Sequence, residues 1–168
     1  MLTEHAFGEF YQRHARAVWT YVYRATNDAA DADDIVQEAF LRLLQTDVVP
    51  ADEEGVRRYV FRVAGNLMAD RWRKRAREKR HDTASAEQTD VAPRDLDVAR
   101  TFAELKPRER ALLWLAYVEG DTHADIATSL RLGRGSVKVM LSRARGRLRD
   151  LLRARGAVEG WGDDSKQK

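Results

Sequence analysis

The sequence predicts an all-α protein made of two small helical domains joined by a flexible linker. Apolar residues recur at three- and four-residue spacing along nearly the whole chain. Only 3 prolines occur in 168 residues, and the periodicity lapses over a single long polar stretch, residues 81–97. No run alternates with period two, and no segment repeats another. The boundaries read as a first domain over 1–80, a linker over 81–97, a second domain over 98–155 and a loose tail over 156–168. A half-chain of about 60–80 residues buries only about 60–65% of its unfolded surface, so each domain is expected to be modestly stable.

The first helix is read over residues 3–24, with Phe7, Phe10, Tyr11, His14, Val18, Tyr21 and Val22 on one broad stripe. Asn27 and Asp28 break it. A second helix begins near Asp31, which is placed to cap it, and Asp33 and Asp34 suit the positive end of the helix dipole. Its inward residues are Ala32, Ile35, Val36, Ala39, Phe40, Leu43 and Leu44. Residues 46–55, with Pro50, form a loop. A third helix turns Val56, Tyr59, Val60, Val63, Ala64 and Leu67 inward, then runs on through Arg71, Trp72, Arg73, Lys74 and Arg75, where core positions nearly vanish. That extension must find its stabilisation at a surface or in a ligand.

Helical order resumes around Val98, Phe102 and Leu105. Pro107 suits a first helical turn and opens a near-continuous apolar stretch that ends at Gly120. Thr122 with Asp125 outlines a capping box, and the short helix it opens carries Ile126, Ala127 and Leu130. Arg131, Leu132 and Gly133 form a turn. The next helix points Val137 and Leu141 inward and Arg134, Ser136, Lys138, Ser142, Arg143 and Arg145 outward. Two short helices at this spacing make a helix-turn-helix, whose second helix enters a DNA major groove. Many such motifs place glycine at the first turn residue, where φ is positive; Arg131 there costs roughly 1 kcal/mol.

Charge makes up 34% of the chain, and a net charge of +3 hides strong segregation. Residues 27–54 hold nine acids and one base, Arg42; residues 71–80 hold seven bases and one acid; residues 131–155 hold nine bases and one acid. Such blocks predict separate partners for separate surfaces, the basic ones suited to polyphosphate. The absence of cysteine excludes a disulfide framework, a thiolate metal site and a cysteine nucleophile. The longest apolar run, residues 111–118, falls far short of the ~20 residues that span a bilayer. The first five residues lack the basic and apolar parts of a secretion signal. A cytoplasmic protein with no membrane insertion is expected.

Three candidate surfaces follow. On the second helix Asp34, Gln37, Glu38 and Leu41 share one face, opposite or nearly opposite the apolar stripe. Polar residues around an exposed leucine suit docking on another protein, although a solvated face explains them as well. On the third helix Arg58, Arg62, Asn66, Asp70 and Arg73 stack along one side, beside Trp72. Arginine and lysine contact phosphates, asparagine can read a base edge, and an aromatic ring can stack on an unpaired base. Local hydrogen bonding by Asn66 and a core role for Trp72 are the structural alternatives. The third surface is the outward face of the helix-turn-helix.

These residues resemble a known family. Asp33, Asp34, Gln37, Glu38 and Phe40, followed by Tyr59, Asn66, Asp70 and Arg71, resemble region 2 of the extracytoplasmic-function (ECF) sigma factors. Leu105 to Arg110, then Ile126, Ala127 and the run from Val137 to Arg145, resemble their region 4. The resemblance implies that Asp34, Gln37 and Glu38, with Leu41 on the same face, dock on the β′ clamp helices of RNA polymerase core. It implies that Asn66 receives a flipped base of the −10 element, with the loop over 46–55 as the lip of its pocket and the extension Arg71, Arg73, Lys74 and Arg75 on the adjoining backbone; Arg58, Arg62 and Trp72 belong to the same candidate −10 surface by their place on the helix. Region 4 would read the −35 duplex through Lys138, Val139, Ser142, Arg143 and Arg145, and grip the β flap; the outward Arg134 and Ser136 join the same −35 face by their position. An anti-sigma factor is an implied partner; no cofactor, metal or catalytic residue is called for. Tyr59 stands where tryptophan is usual, Val139 and Met140 where a polar pair is common, and Asp121 where an apolar residue is expected.

Two other readings compete. The stretch from Leu105 to Arg145 also resembles the output domain of LuxR-type regulators, which carry sensory or receiver domains ahead of it. His81 and Asp82 form the dipeptide used by all-α metal-dependent phosphohydrolases, but His5, His14 and His123 are scattered along the chain.

Overall fold

The computed structural model describes residues 3–47, 49–79 and 96–156, which form helices and turns with no strand. The tail from 157 on and most of the expected linker lie outside the described residues. So do His81 and Asp82.

Helix α1 (Glu4–Thr26) is capped by the Thr3 hydroxyl, which accepts from the Ala6 N–H at 3.3 Å. It ends at Asn27, whose φ of 57° places it in the left-handed region that asparagine tolerates. This abrupt turn lets α2 (Ala29–Gln45) start sooner than expected. Its cap is Asp28, not Asp31: Asp28 Oδ1 accepts from the Asp31 N–H at 3.0 Å. The Asp31 carboxylate is thereby free to pair with Arg71 and Arg75 of the third helix, each at 2.6 Å. Leu44, expected inside, is 42% exposed. Successive residues of a helix lie about 100° apart, and Leu43 takes the inward direction. Tyr11 is likewise exposed, with its ring against Phe40 at 4.8 Å.

Helix α3 (Glu53–Glu78) begins at Asp52, which accepts from the Gly55 N–H at 2.8 Å, so the preceding loop is shorter than residues 46–55. The cap is tight: a Cβ on Gly55 would lie 2.5 Å from Asp52 Oδ1 and 2.6 Å from Pro50 Cβ. Further along, Val60, Phe61, Val63, Ala64, Gly65, Met68 and Ala69 are all buried. These positions spread over more than half of the helix circumference, so α3 is covered on more than one side and keeps the edge of Arg58, Arg62 and Asp70 open.

The C-terminal half comprises α4 (Leu96–Ala103), α5 (Pro107–Tyr117), α6 (His123–Ser129) and α7 (Ser136–Ala154). Helix α4 starts within the stretch read as linker. The expected capping box opens α6, where Thr122 Oγ1 accepts from the Asp125 N–H at 3.2 Å and donates to the Asp125 carboxylate at 2.7 Å. Pro107 sits in the first turn of α5, and the Lys106 N–H donates to Glu109 at 2.9 Å.

The two halves are packed together. Helix α5 lies on α1, α6 lies on α3, and the buried residues of both halves form one continuous core. Arg110, only 5% exposed, ties the junction. Its Nε and one terminal nitrogen donate to the Ala25 carbonyl at 3.1 and 2.8 Å; the other donates to the Ala103 and Leu105 carbonyls. A buried charge needs such partners, because desolvating it costs several kcal/mol. The Ala25 carbonyl lies at the C-terminal end of α1, where the helix dipole favours a cation. Burial pushes the Arg110 pKa down to about 10, which leaves it charged at neutral pH.

Candidate polymerase and nucleic-acid surfaces

On α2, Asp34, Gln37 and Leu41 are exposed and Glu38 is half-buried, so the predicted docking face is open to solvent. Glu38 pairs with Arg42 one turn on at 2.7 Å, and Asp34 lies 4.0 Å from Arg71. Both pairs are solvent-facing and therefore weak.

On α7, Arg134 and Ser136 at its start and Lys138, Val139, Ser142, Arg143 and Arg145 along it are all exposed, while Val137, Leu141 and Ala144 are buried. The split follows the helical period and leaves one basic face uncovered. Val139, 49% exposed, gives that face an apolar spot suited to a thymine methyl group.

The α3 edge is more constrained. Arg58 and Arg62 are exposed, and Arg62 lies over the Tyr59 ring at 5.5 Å. Asn66 is half-buried, and its Oδ1 accepts from Arg131 Nε at 3.2 Å. Arg71 is held by Asp31. Arg73 donates to the Arg131 carbonyl at 2.9 Å, and Trp72 packs on the core under the Arg108 guanidinium, 5.8 Å from the ring centroid. Trp72 is thus partly a core residue. Lys74 is exposed, 3.9 Å from Glu78.

Between α3 and α6 a cleft of about 270 Å³ is lined by Pro50, Gly55, Arg58, Tyr59, Arg62, Asp121, Asp125, Thr128 and Ser129. Burial, then the neighbouring Asp125, raises the Asp121 pKa to about 6 even though Arg57 and Arg58 oppose the shift. Arg57 bridges the halves, pairing with Glu54 on its own helix and Glu119 after α5. Glu119 also accepts from Trp114 Nε1 at 3.0 Å. Sequence reading missed Arg57, Gly65, Arg108, Arg110, Glu119 and Ser129 as junction residues. One signal was available: the apolar stretch 111–118 has no polar face, so it needs cover beyond one neighbour.

Comparison with known proteins gives the family of both halves. Residues 10–78 match the family model for sigma-70 region 2, and residues 95–148 match that for sigma-70 region 4. The ECF RNA polymerase sigma factor SigL of Mycobacterium tuberculosis is 33% identical over 160 residues, covering 88% of this chain and 89% of that protein. The chain belongs to the ECF RNA polymerase sigma factors. Sigma factors are transcription initiation factors rather than enzymes, and regions 2 and 4 bind core polymerase and promoter DNA. The region 2 match to the N-terminal half removes the LuxR-type reading.

Solved structures agree on the fold of this sigma factor. RpoE in its complex with the anti-sigma factor NepR from Bartonella quintana superimposes with a TM-score of 0.70 at 20% identity, covering 88% of this chain and 96% of that one. CnrH, solved with the cytosolic domain of CnrY, gives a TM-score of 0.61 at 27% identity, covering 90% of each chain. Among the described residues of this sigma factor no helix is long and apolar enough to cross a membrane. No group of three or more His, Cys, Asp or Glu there could hold a metal ion.

Proposed function

We propose that this sigma factor grips core polymerase through the α2 face of Asp34, Gln37, Glu38 and Leu41, which meets the β′ clamp helices. The outward edge of α3 then receives the melted −10 strand, with Asn66 at the flipped base and Arg58, Arg62, Trp72, Arg73 and Lys74 along the backbone and bases. Arg71, paired with Asp31, serves the strand only by exchanging that partner for a phosphate. The exposed face of α7 enters the −35 major groove, and the rest of region 4 meets the β flap. The work is done in the cytoplasm, and an anti-sigma factor restrains it, as NepR and CnrY accompany the relatives just described.

The observation that carries this reading is the exposure of all seven basic, polar and apolar positions at the start and along one side of α7, in a chain whose other half keeps an acidic α2 face open. Extruding a base costs a few kcal/mol of stacking, which a receiving pocket and basic surface offset. Two weak sites joined in one chain gain selectivity through effective concentration. In vitro transcription with purified core polymerase and a promoter library tests it. Start sites sharing a −10 and a −35 sequence are expected; unselective initiation equal to core enzyme alone would contradict it.

A further inference from the structure

Region 4 engages Asn66, Asp70 and Arg73 on the α3 edge of region 2 through contacts that are built rather than incidental. Position 65 is a glycine in mid-helix, where glycine costs about 1 kcal/mol relative to alanine. A Cβ there would lie 2.7 Å from the Ser129 carbonyl oxygen, so the missing side chain is what lets the end of α6 reach α3. Two residues after Ser129, Arg131 holds φ at 52° without being glycine. Its guanidinium donates to Asn66 Oδ1 at 3.2 Å and lies 3.3 Å from the Asp70 carboxylate, and its carbonyl accepts from Arg73 at 2.9 Å. Two residues with unfavourable backbone preferences thus serve the same α3–α6 junction, Gly65 by admitting Ser129 and Arg131 by reaching Asn66 and Asp70.

We infer that Gly65 and Arg131 form an autoinhibitory latch that withholds Asn66 and Arg73 from single-stranded DNA until the two halves separate. This rests on the proposed role of the α3 edge. The recognition face of α7 stays open in the closed form, so the latch acts on strand capture and leaves duplex contact alone. Core polymerase releases it by holding the two halves at separate sites, a population shift toward the open form.

The full chain lacks cysteine, so spin labels can be placed at Gln12→Cys and Asp150→Cys, two exposed positions outside every proposed surface. Electron–electron distance measurements on the free protein then read closure directly. Gly65→Ala drives a wedge between α3 and α6 while favouring the helix itself. Arg131→Gly removes the clamp and relaxes the turn. Both are expected to lengthen and broaden the distance distribution. Both should also bind a randomised single-stranded DNA 12-mer pool about tenfold more tightly, as the competent fraction rises. Arg131→Gly is the sharper case, because losing a cation by itself weakens binding to a polyanion. Distances unchanged in both variants overturn the latch and leave the reading of the α3 edge standing. Longer distances without tighter binding overturn the inhibitory role. In that case strand opening by an Asn66→Ala holoenzyme decides whether the edge itself was misread.

Discussion

The hydroxyl of Tyr21 is fully buried, and no hydrogen-bond partner reaches it among the described residues. Burial, reinforced by the charges of Asp121 and Glu119, pushes its pKa well above the usual value, so the phenol stays protonated. An unpaired buried hydroxyl costs about 1–3 kcal/mol, and Tyr21→Phe removes that cost while keeping the ring packed on Phe61. The variant should raise the urea midpoint by an amount worth about 1 kcal/mol; a lower midpoint would mean the hydroxyl has a partner. Asp121 carries a different cost. Its folded-state pKa of about 6 exceeds the ordinary 3.8, so the folded state binds its proton more tightly than the unfolded state. Stability from this group is fully present below about pH 4 and lost as pH rises to 6. Asp121→Asn should therefore gain on the parent protein between those values and hold a level advantage above them, measured as a difference in melting temperature. Glu53 and Glu54, whose pKa values are lowered by His14 and Arg57 respectively, act with the opposite sign in both proteins and cancel in the difference. A constant difference across the range would contradict the assignment.

At the scale of elements, α2 and α7 each place one face for packing and leave the other free. Replacing Asp34 and Gln37 together by alanine should weaken core polymerase binding by about 1–2 kcal/mol, five- to thirtyfold, with helicity unchanged. Undiminished affinity in a competition assay would return that face to solvent. On α7, Arg143→Ala should reduce the slope of log affinity against log salt for −35 duplex by about 0.9, one phosphate contact. An unchanged slope would mean that Arg143 faces protein. The periodicity of α1, α2 and α7 was legible because each buries one stripe, and Thr122 and Pro107 marked helix starts correctly. Less legible were the cap of α2, which falls at Asp28 and not Asp31 because the chain turns within two residues at Asn27, and Leu44, one residue past the inward direction. The local pattern of α3 marks one buried face because its second cover, α6, comes from a distant part of the chain.

Across the whole molecule, two regions that the sequence separates by a polar stretch share one core. Nothing local marks this. Arg110 meets a carbonyl 85 residues away and Arg57 a carboxylate 62 residues away, and single-sequence periodicity records only neighbours within a turn or two. Arg131 came nearest to betraying it, as an arginine where the turn favours glycine; its reason lies on the other half of the molecule. Potassium permanganate reactivity of unpaired thymines in promoter DNA, with holoenzyme assembled from core polymerase and either the parent protein or Asn66→Ala, tests the role of the α3 edge most directly. The parent holoenzyme should expose thymines of the −10 element. The variant should bind duplex promoter comparably yet leave those thymines about tenfold or more less reactive, the loss of one good base contact of about 1–3 kcal/mol. Equal reactivity in the two holoenzymes would show that strand capture lies elsewhere.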